Sequence, residues 1–343
     1  MQFGKRRPPH TINLALQGGG AHGAFTWGVL DALLEDGRLG FEGISGTSAG
    51  AMNALAMAHG LMVGGPDGAR EALQKFWTAV AGAAPLELTQ TSADGTQTGL
   101  SPLVKLMLQW THYLSPEQIN PFDLNPLRDI VTAQIDFARL RTQSPVKLFV
   151  ATTQANTGKL RLFRNAEMSA DVLLASACLP TLHRAIEIDG EPYWDGGFAA
   201  NPAVFPLFFE CHAPDLLMVL LSPLKHAQTP LSATDIQTRV LEIAFNSTFL
   251  REMRMFAHLR QQVRPSWFVT LGRLERRVQR AHFHLIEDEE VLRALSPDSK
   301  LAANQKFFER LKGLGRGRAR VWLDAHHGAL GKRSSVDLSS LFY

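Results

Sequence analysis

The sequence predicts a layered α/β fold with a largely parallel central sheet and a mainly helical C-terminal extension. Three observations predict it. Short apolar runs of strand length alternate with segments of helical period, the pattern that builds parallel sheets. Two of those runs pass straight into glycine-rich strand-to-helix junctions, Gly18–Gly23 and Gly46–Gly50. The chain's 343 residues, 45% of them hydrophobic, suffice for one large α/β domain with an extension.

Taken in order, residues 1–10 form a basic, proline-containing N-terminal segment. Thr11 to Gln17 reads as a buried first strand. Ala24 to Leu34 follows as a helix with Trp27, Leu30, Leu33 and Leu34 on or near one face. Phe41 to Ser45 is a second strand, and the small residues from Ala51 to His59 a second helix. The break Gly64-Gly65-Pro66-Asp67-Gly68 separates it from a third helix, Ala69 to Ala81. Leu88 to Leu100 is polar and reads as a surface loop. Ser101 to Tyr113 has Leu103, Leu106, Met107 and Trp110 at helical spacing. Leu127 to Ala138 is another helix, Lys147 to Thr152 and Lys159 to Phe163 are strands, and Asp171 to Ala177 is a short helix. An Asp189-Gly190 turn joins two short strands as a hairpin. Asp215 to Leu221 is a further buried strand. The layered domain is thus placed at residues 11–225 and the extension at 226–343. In the extension, Thr234–Gln262, Glu287–Leu295 and Leu301–Leu311 read as helices, and Ser266–Leu271 as a strand. The Gly/Arg-rich tail from Gly313 reads as disordered towards its end.

The chemistry gathers at the two junctions and one later turn. Gly46-Thr47-Ser48-Ala49-Gly50 between a strand and a helix is the G-x-S-x-G pattern of a nucleophile elbow, with Ser48 at the apex. Gly46 and Gly50 lack side chains, so strand and helix can close around the turn. The helix that follows aims free N–H groups and its positive dipole end at the serine. Gly18, Gly19 and Gly20 can supply backbone donors to an oxyanion, with a helix N-terminus behind them. Asp195, between the hairpin and Gly196-Gly197, is the candidate base.

These motifs resemble the patatin-like phospholipase family. The similarity rests on Gly18-Gly19-Gly20-Ala21-His22-Gly23, Gly46-Thr47-Ser48-Ala49-Gly50 and Asp195-Gly196-Gly197 in that order, with Ala175-Ser176-Ala177-Cys178-Leu179-Pro180 and the Tyr193-Trp194 lead-in to Asp195. It spans roughly residues 11–225. The resemblance implies a three-layer α/β/α sandwich and a Ser48–Asp195 dyad with no catalytic histidine. It further implies an oxyanion hole of glycine amides and an acyl-enzyme route to hydrolysis of lipid esters, without calcium or any other cofactor. The sequence departs from the family at His22, where Arg or Lys is more usual. A neutral histidine there weakens the fixed charge near the oxyanion and is expected to add pH sensitivity. Asp195 is expected in a cleft within hydrogen-bond reach of Ser48, its pKa raised by burial towards neutrality.

Other readings are weaker. Gly18–Gly23 also fits G-x-G-x-x-G, with Glu42 about 20 residues on, the outline of a dinucleotide site. A Ser-His-Asp triad would draw on His183, His212 or His226, none in a recognisable motif. His326-His327 is too isolated for a metal site, so no metal or cofactor is expected. Arg316, Arg318 and Arg320 lack interleaved aromatics, and no nucleic-acid partner is expected. The expected partner is a lipid or other acyl-ester substrate. Residues from His226 onward carry 19 Lys+Arg against 12 Asp+Glu, while the first 225 carry 16 against 20. That basic balance leaves room for peripheral contact with an anionic membrane surface. No apolar run has the length of a membrane span or a signal-peptide core, and two cysteines, Cys178 and Cys211, make no disulfide framework. The expected location is cytoplasmic.

Overall fold

A strand buried on both faces reads as one apolar run, because alternate side chains serve opposite layers. The first strand shows this in a computed structural model that describes residues 10–83, 89–91, 98–101, 114–226, 229–263 and 272–343. In β1 (His10–Leu16), Ile12, Leu14 and Leu16 join one core with helices α1 (Gly23–Asp36) and α2 (Ala49–Ala83) and the Gln305–His326 helix. Ala15 joins a second core with the Phe205–Glu210 and Ala233–Gln262 helices. In β9 (Asp215–Val219), Leu217 and Val219 serve the first core, Leu216 and Met218 the second. The result is a sheet between two helical layers.

The other strands of this sheet are β2 (Leu39–Gly46), β5 (Lys147–Gln154), β6 (Leu160–Arg164), β7 (Ile186–Ile188), β8 (Glu191–Asp195) and β10 (His282–Ile286). Their order is β10-β9-β1-β2-β5-β8-β7, with β6 also paired to β5. The five strands from β10 to β5 run parallel. β6, β7 and β8 join antiparallel at the β5 end. Thus β1 and β2 deliver both glycine-rich junctions at neighbouring strand ends, and β8 brings its own C-terminal turn to that edge.

Several elements differ from the sequence reading. The break at Gly64–Gly68 is a kink, non-helical at Gly64 and Gly65, within the span of α2. Within the polar stretch 88–100, β3 (Thr89–Thr91) pairs antiparallel with β4 (Thr98–Leu100). The helix expected at 127–138 is two, Pro126–Gln134 and Phe137–Gln143, divided where Ile135 leaves helical geometry. The apolar stripe at 103–110 and the strand expected at 266–271 lie outside the described residues. Both cysteines are free and buried.

The C-terminal residues are built into the sandwich. β10 pairs in parallel with β9, from His282 beside Asp215 to Ile286 beside Val219. The tail from Gly313, expected to be disordered towards its end, is helical to His326 and ends in a further helix, Leu338–Phe342. Its glycines are contacts: a Cβ on Gly315 would lie 2.0 Å from the Phe25 carbonyl oxygen, and one on Gly28 2.0 Å from that of Lys312. Arg316 pairs with Asp31 and Glu35 across the same crossing. At the far end of the sheet, the fully buried Asp215 carboxylate meets His10 Nε2 at 2.8 Å, His284 Nε2 at 2.9 Å and the Gly331 N–H at 2.9 Å. Burial pushes this carboxyl up, but those partners outweigh it and hold its pKa below the ordinary value.

Candidate active site

Ser48 has φ 53°, the left-handed region that a side-chain-bearing residue enters at a cost of about 1–2 kcal/mol. Its neighbours enforce the turn. The Ser48 N–H donates to Ser176 Oγ at 2.9 Å, and the Ser176 hydroxyl donates to the Ala151 carbonyl at 2.7 Å. Thr47 Oγ1 donates to the Ala200 carbonyl at 2.7 Å, and the Gly50 N–H to the Thr47 carbonyl at 2.8 Å. The elbow glycines are required by close approach. A Cβ on Gly46 would lie 2.6 Å from the Gly50 carbonyl, and one on Gly50 2.2 Å from the Leu16 carbonyl oxygen. Gly23 admits the first turn of α2, whose Ala49 Cβ would be 2.7 Å away.

Asp195 ends β8. Its N–H donates to the Cys178 carbonyl at 2.8 Å, and Thr153 Oγ1 donates to its carbonyl at 2.8 Å. The side chain is only 2% exposed. It accepts from the Gly197 N–H at 2.7 Å, and the Ser48 side chain lies close enough to favour its charged form. Burial raises its pKa to about 7, against the opposing pull of the Gly197 N–H and the Ser48 side chain. Gly196 lets this turn press onto β5, with 2.1 Å from its would-be Cβ to the Ala151 oxygen. Gly197 faces the Phe245 ring, 2.3 Å from the same notional atom. The structure therefore places Ser48 and Asp195 at one site, near enough for the serine side chain to act on the carboxyl's pKa. Among the described residues no histidine hydrogen-bonds either of them. His226 instead faces Glu242 at 3.4 Å.

The three glycines expected as oxyanion donors divide. The Gly18 N–H is committed to Asn201 Oδ1 at 2.7 Å, so it is not free to bind an oxyanion. A Cβ on Gly18 would touch Ser48 Cβ at 2.9 Å, so its role is to let the loop lie against the elbow. Among the described residues, the N–H groups of Gly19, Gly20 and Ala49 have no hydrogen-bond partner, and Ala49 opens α2. His22 is buried, with Nε2 2.7 Å from Ser299 Oγ. Burial and the neighbouring Lys300 charge push its pKa down to about 3. It stays neutral through the physiological range, so the pH sensitivity expected from it is absent there.

The dinucleotide reading fails on position. Glu42 lies at the irregularity in the β1–β2 register opposite Ile12 and Asn13. That is about five strand residues, roughly 16 Å, from Gly18. Its carboxylate is held by Lys147 and the His212 and Ala213 N–H groups.

Sequence reasoning assigned no role to Ser176 or Asn201, and it gave the residues from His226 onward only the collective one of covering the acyl pocket or setting partner choice. Gln17 Nε2 donates to Asn246 Oδ1 at 3.0 Å, the Phe245 ring packs tilted against Phe198 with centroids 4.5 Å apart, and Ser299 and Lys300 lie against the glycine loop. Ser176 stood within a quoted motif. The others carry no local signal, since their partners are more than 40 residues away in the chain.

A family model described as patatin-like phospholipase matches residues 14–208, which include both junctions and the Asp195 turn. No curated protein gives a significant sequence match. Among solved structures, VipD from Legionella pneumophila is 16% identical, over 97% of this chain and 73% of that one, with a TM-score of 0.44. With more than half of its length matched by the family model, this chain belongs to the patatin-like phospholipase family.

Proposed function

We propose that the protein hydrolyses lipid esters through a Ser48–Asp195 dyad and an acyl-enzyme intermediate. The observation that carries this reading is the strained elbow serine, Ser48, beside a buried carboxyl, Asp195, whose pKa burial raises to about 7. A carboxylate near its ordinary pKa is a weak base for a hydroxyl; one near 7 is matched to neutral pH. Ser48 Oγ attacks the acyl carbonyl and passes its proton to Asp195. The oxyanion forms beside the Gly19, Gly20 and Ala49 amides and the positive end of α2. The protonated Asp195 returns the proton to the leaving alkoxide, and the alcohol departs. Asp195 then takes a proton from water, whose hydroxide attacks the acyl ester of Ser48. Collapse of that second tetrahedral species frees the fatty acid and restores the serine.

The family, matched over residues 14–208, supports the lipid ester as substrate class. Membrane contact belongs to the same proposal. No helix among the described residues is long and apolar enough to cross a membrane, so contact would be at the surface. The test is covalent. A fluorophosphonate should label the wild-type protein at Ser48, and a slow-deacylating p-nitrophenyl ester should leave an acyl adduct on the same residue by mass spectrometry. Ester hydrolysis with Ser48 unlabelled would refute the reading.

A further inference from the structure

We propose that Lys300 binds the phosphate of a phospholipid substrate beside the scissile ester. This rests on the acyl-hydrolase reading and adds the head-group class to it. Lys300 lies outside the span matched by the family model. Its main chain packs on the glycine loop: a Cβ on Gly20 would lie 2.2 Å from the Lys300 carbonyl oxygen and 3.6 Å from Lys300 Cβ. Two residues earlier in that loop, Gly18 packs against Ser48. The lysine side chain is therefore rooted one short loop away from the nucleophile, on the edge where Gly20 is exposed.

The side chain is itself partly buried, yet among the described residues its ammonium makes no hydrogen bond and no ion pair. Two titratable groups face it. His22, on the glycine loop, is neutral. Glu242, on the Ala233–Gln262 helix, attracts it from a distance and is already in contact with Arg239 at 3.3 Å and His226 at 3.4 Å. A cation withdrawn from water without a direct partner is unfavourable unless a ligand supplies the counter-charge. Burial accordingly lowers the Lys300 pKa from its usual value. A lysine is a point-charge partner for phosphate. In a glycerophospholipid the phosphate hangs from the same three-carbon unit as the ester, a separation of the order of one lysine side chain.

The experiment compares phosphatidylglycerol with diacylglycerol of the same acyl chains, each in Triton mixed micelles, using the full chain. Lys300→Met should lower the ratio of kcat/KM for phospholipid over diacylglycerol by about 10- to 100-fold, the effect of losing a charge-assisted hydrogen bond. Lys300→Arg should restore part of it. Activities that fall in parallel would mean the ammonium serves the ester reaction or the fold. A ratio that does not move would mean a solvated side chain. Either overturns the proposal. Failure of the parent reading shows separately, as wild-type protein unlabelled at Ser48. Lys300 is then judged by binding alone: sn-glycerol 3-phosphate should raise the melting temperature of wild type and not of Lys300→Met, while equal shifts would refute it. An effect of inorganic phosphate equal to that of sn-glycerol 3-phosphate, with no change in the lipid ratio, assigns the site to free phosphate and overturns the lipid assignment.

Discussion

Replacing Asp195 with asparagine should cripple the enzyme and stabilise it, and the two effects share one cause. The unfolded chain's aspartate ionises near 3.8, the folded one near about 7. Between those values the unfolded state loses its proton first, so stability drains away as pH rises from 4 and the loss is complete above 7. At about 1.4 kcal/mol per pH unit, the ionised buried carboxylate costs about 4 kcal/mol at pH 8. Asparagine keeps an oxygen to accept from the Gly197 N–H and carries no charge. In a chain of this size the difference corresponds to roughly 5–10 °C. Thermal melts of both proteins from pH 4 to 8.5 should nearly coincide at pH 4 and separate steadily to pH 7. Ester hydrolysis by Asp195→Asn should fall by about 10²–10⁴-fold. Wild-type kcat/KM should itself fall below pH 7, where Asp195 holds its proton. A melting gap that is independent of pH, or a variant that remains active, would refute the reasoning.

Three further outcomes test the scaffold. Ser176→Ala removes the acceptor for the Ser48 N–H and should lower kcat about tenfold with little change in KM, read with a soluble p-nitrophenyl ester. Gly313 and Gly315 lie in one helix, but only Gly315 meets another backbone, so Gly313→Ala should stabilise by about 0.5–1 kcal/mol and Gly315→Ala should destabilise by about 2 kcal/mol or more in urea titrations. Asp215→Asn should cost about 2–3 kcal/mol at pH 7. Because the native Asp215 pKa is lowered, its contribution is present above the unfolded pKa and lost as pH falls through the folded one. The two proteins' denaturation midpoints should therefore converge in acid.

What could be read from sequence was what is local. The elbow is five consecutive residues between a strand and a helix, so its pattern shows in sequence, although the Ser176 and Ala200 contacts that hold it do not. The glycine loop was visible for the same reason, but the fate of its first amide was not. Gly18 is spent on Asn201, 183 residues away, and only the folded chain shows that pairing. β10 escaped notice because His282–Ile286 is five residues with two histidines, next to an acidic cluster. It is a strand because β9 pairs with it, an effect that propensity does not contain. The Gly/Arg-rich tail from Gly313 read as disordered towards its end, and no helix was read across its glycines, because glycine weakens an isolated helix. In the fold, Gly315 is what lets two helices touch.

That crossing sets a limit on where the polypeptide can be cut. A fragment trimmed to residues 14–208 would begin inside β1 and lose β9, β10 and the Gln305–His326 helix. β1 would become a raw sheet border, open to pairing with another molecule. Trp27 and Leu30, which share a core with Phe307, Phe308 and Leu311, would lose that cover and face water. The stretch that identifies the family is not an autonomous unit here, and a minimal expression fragment drawn at its borders should aggregate.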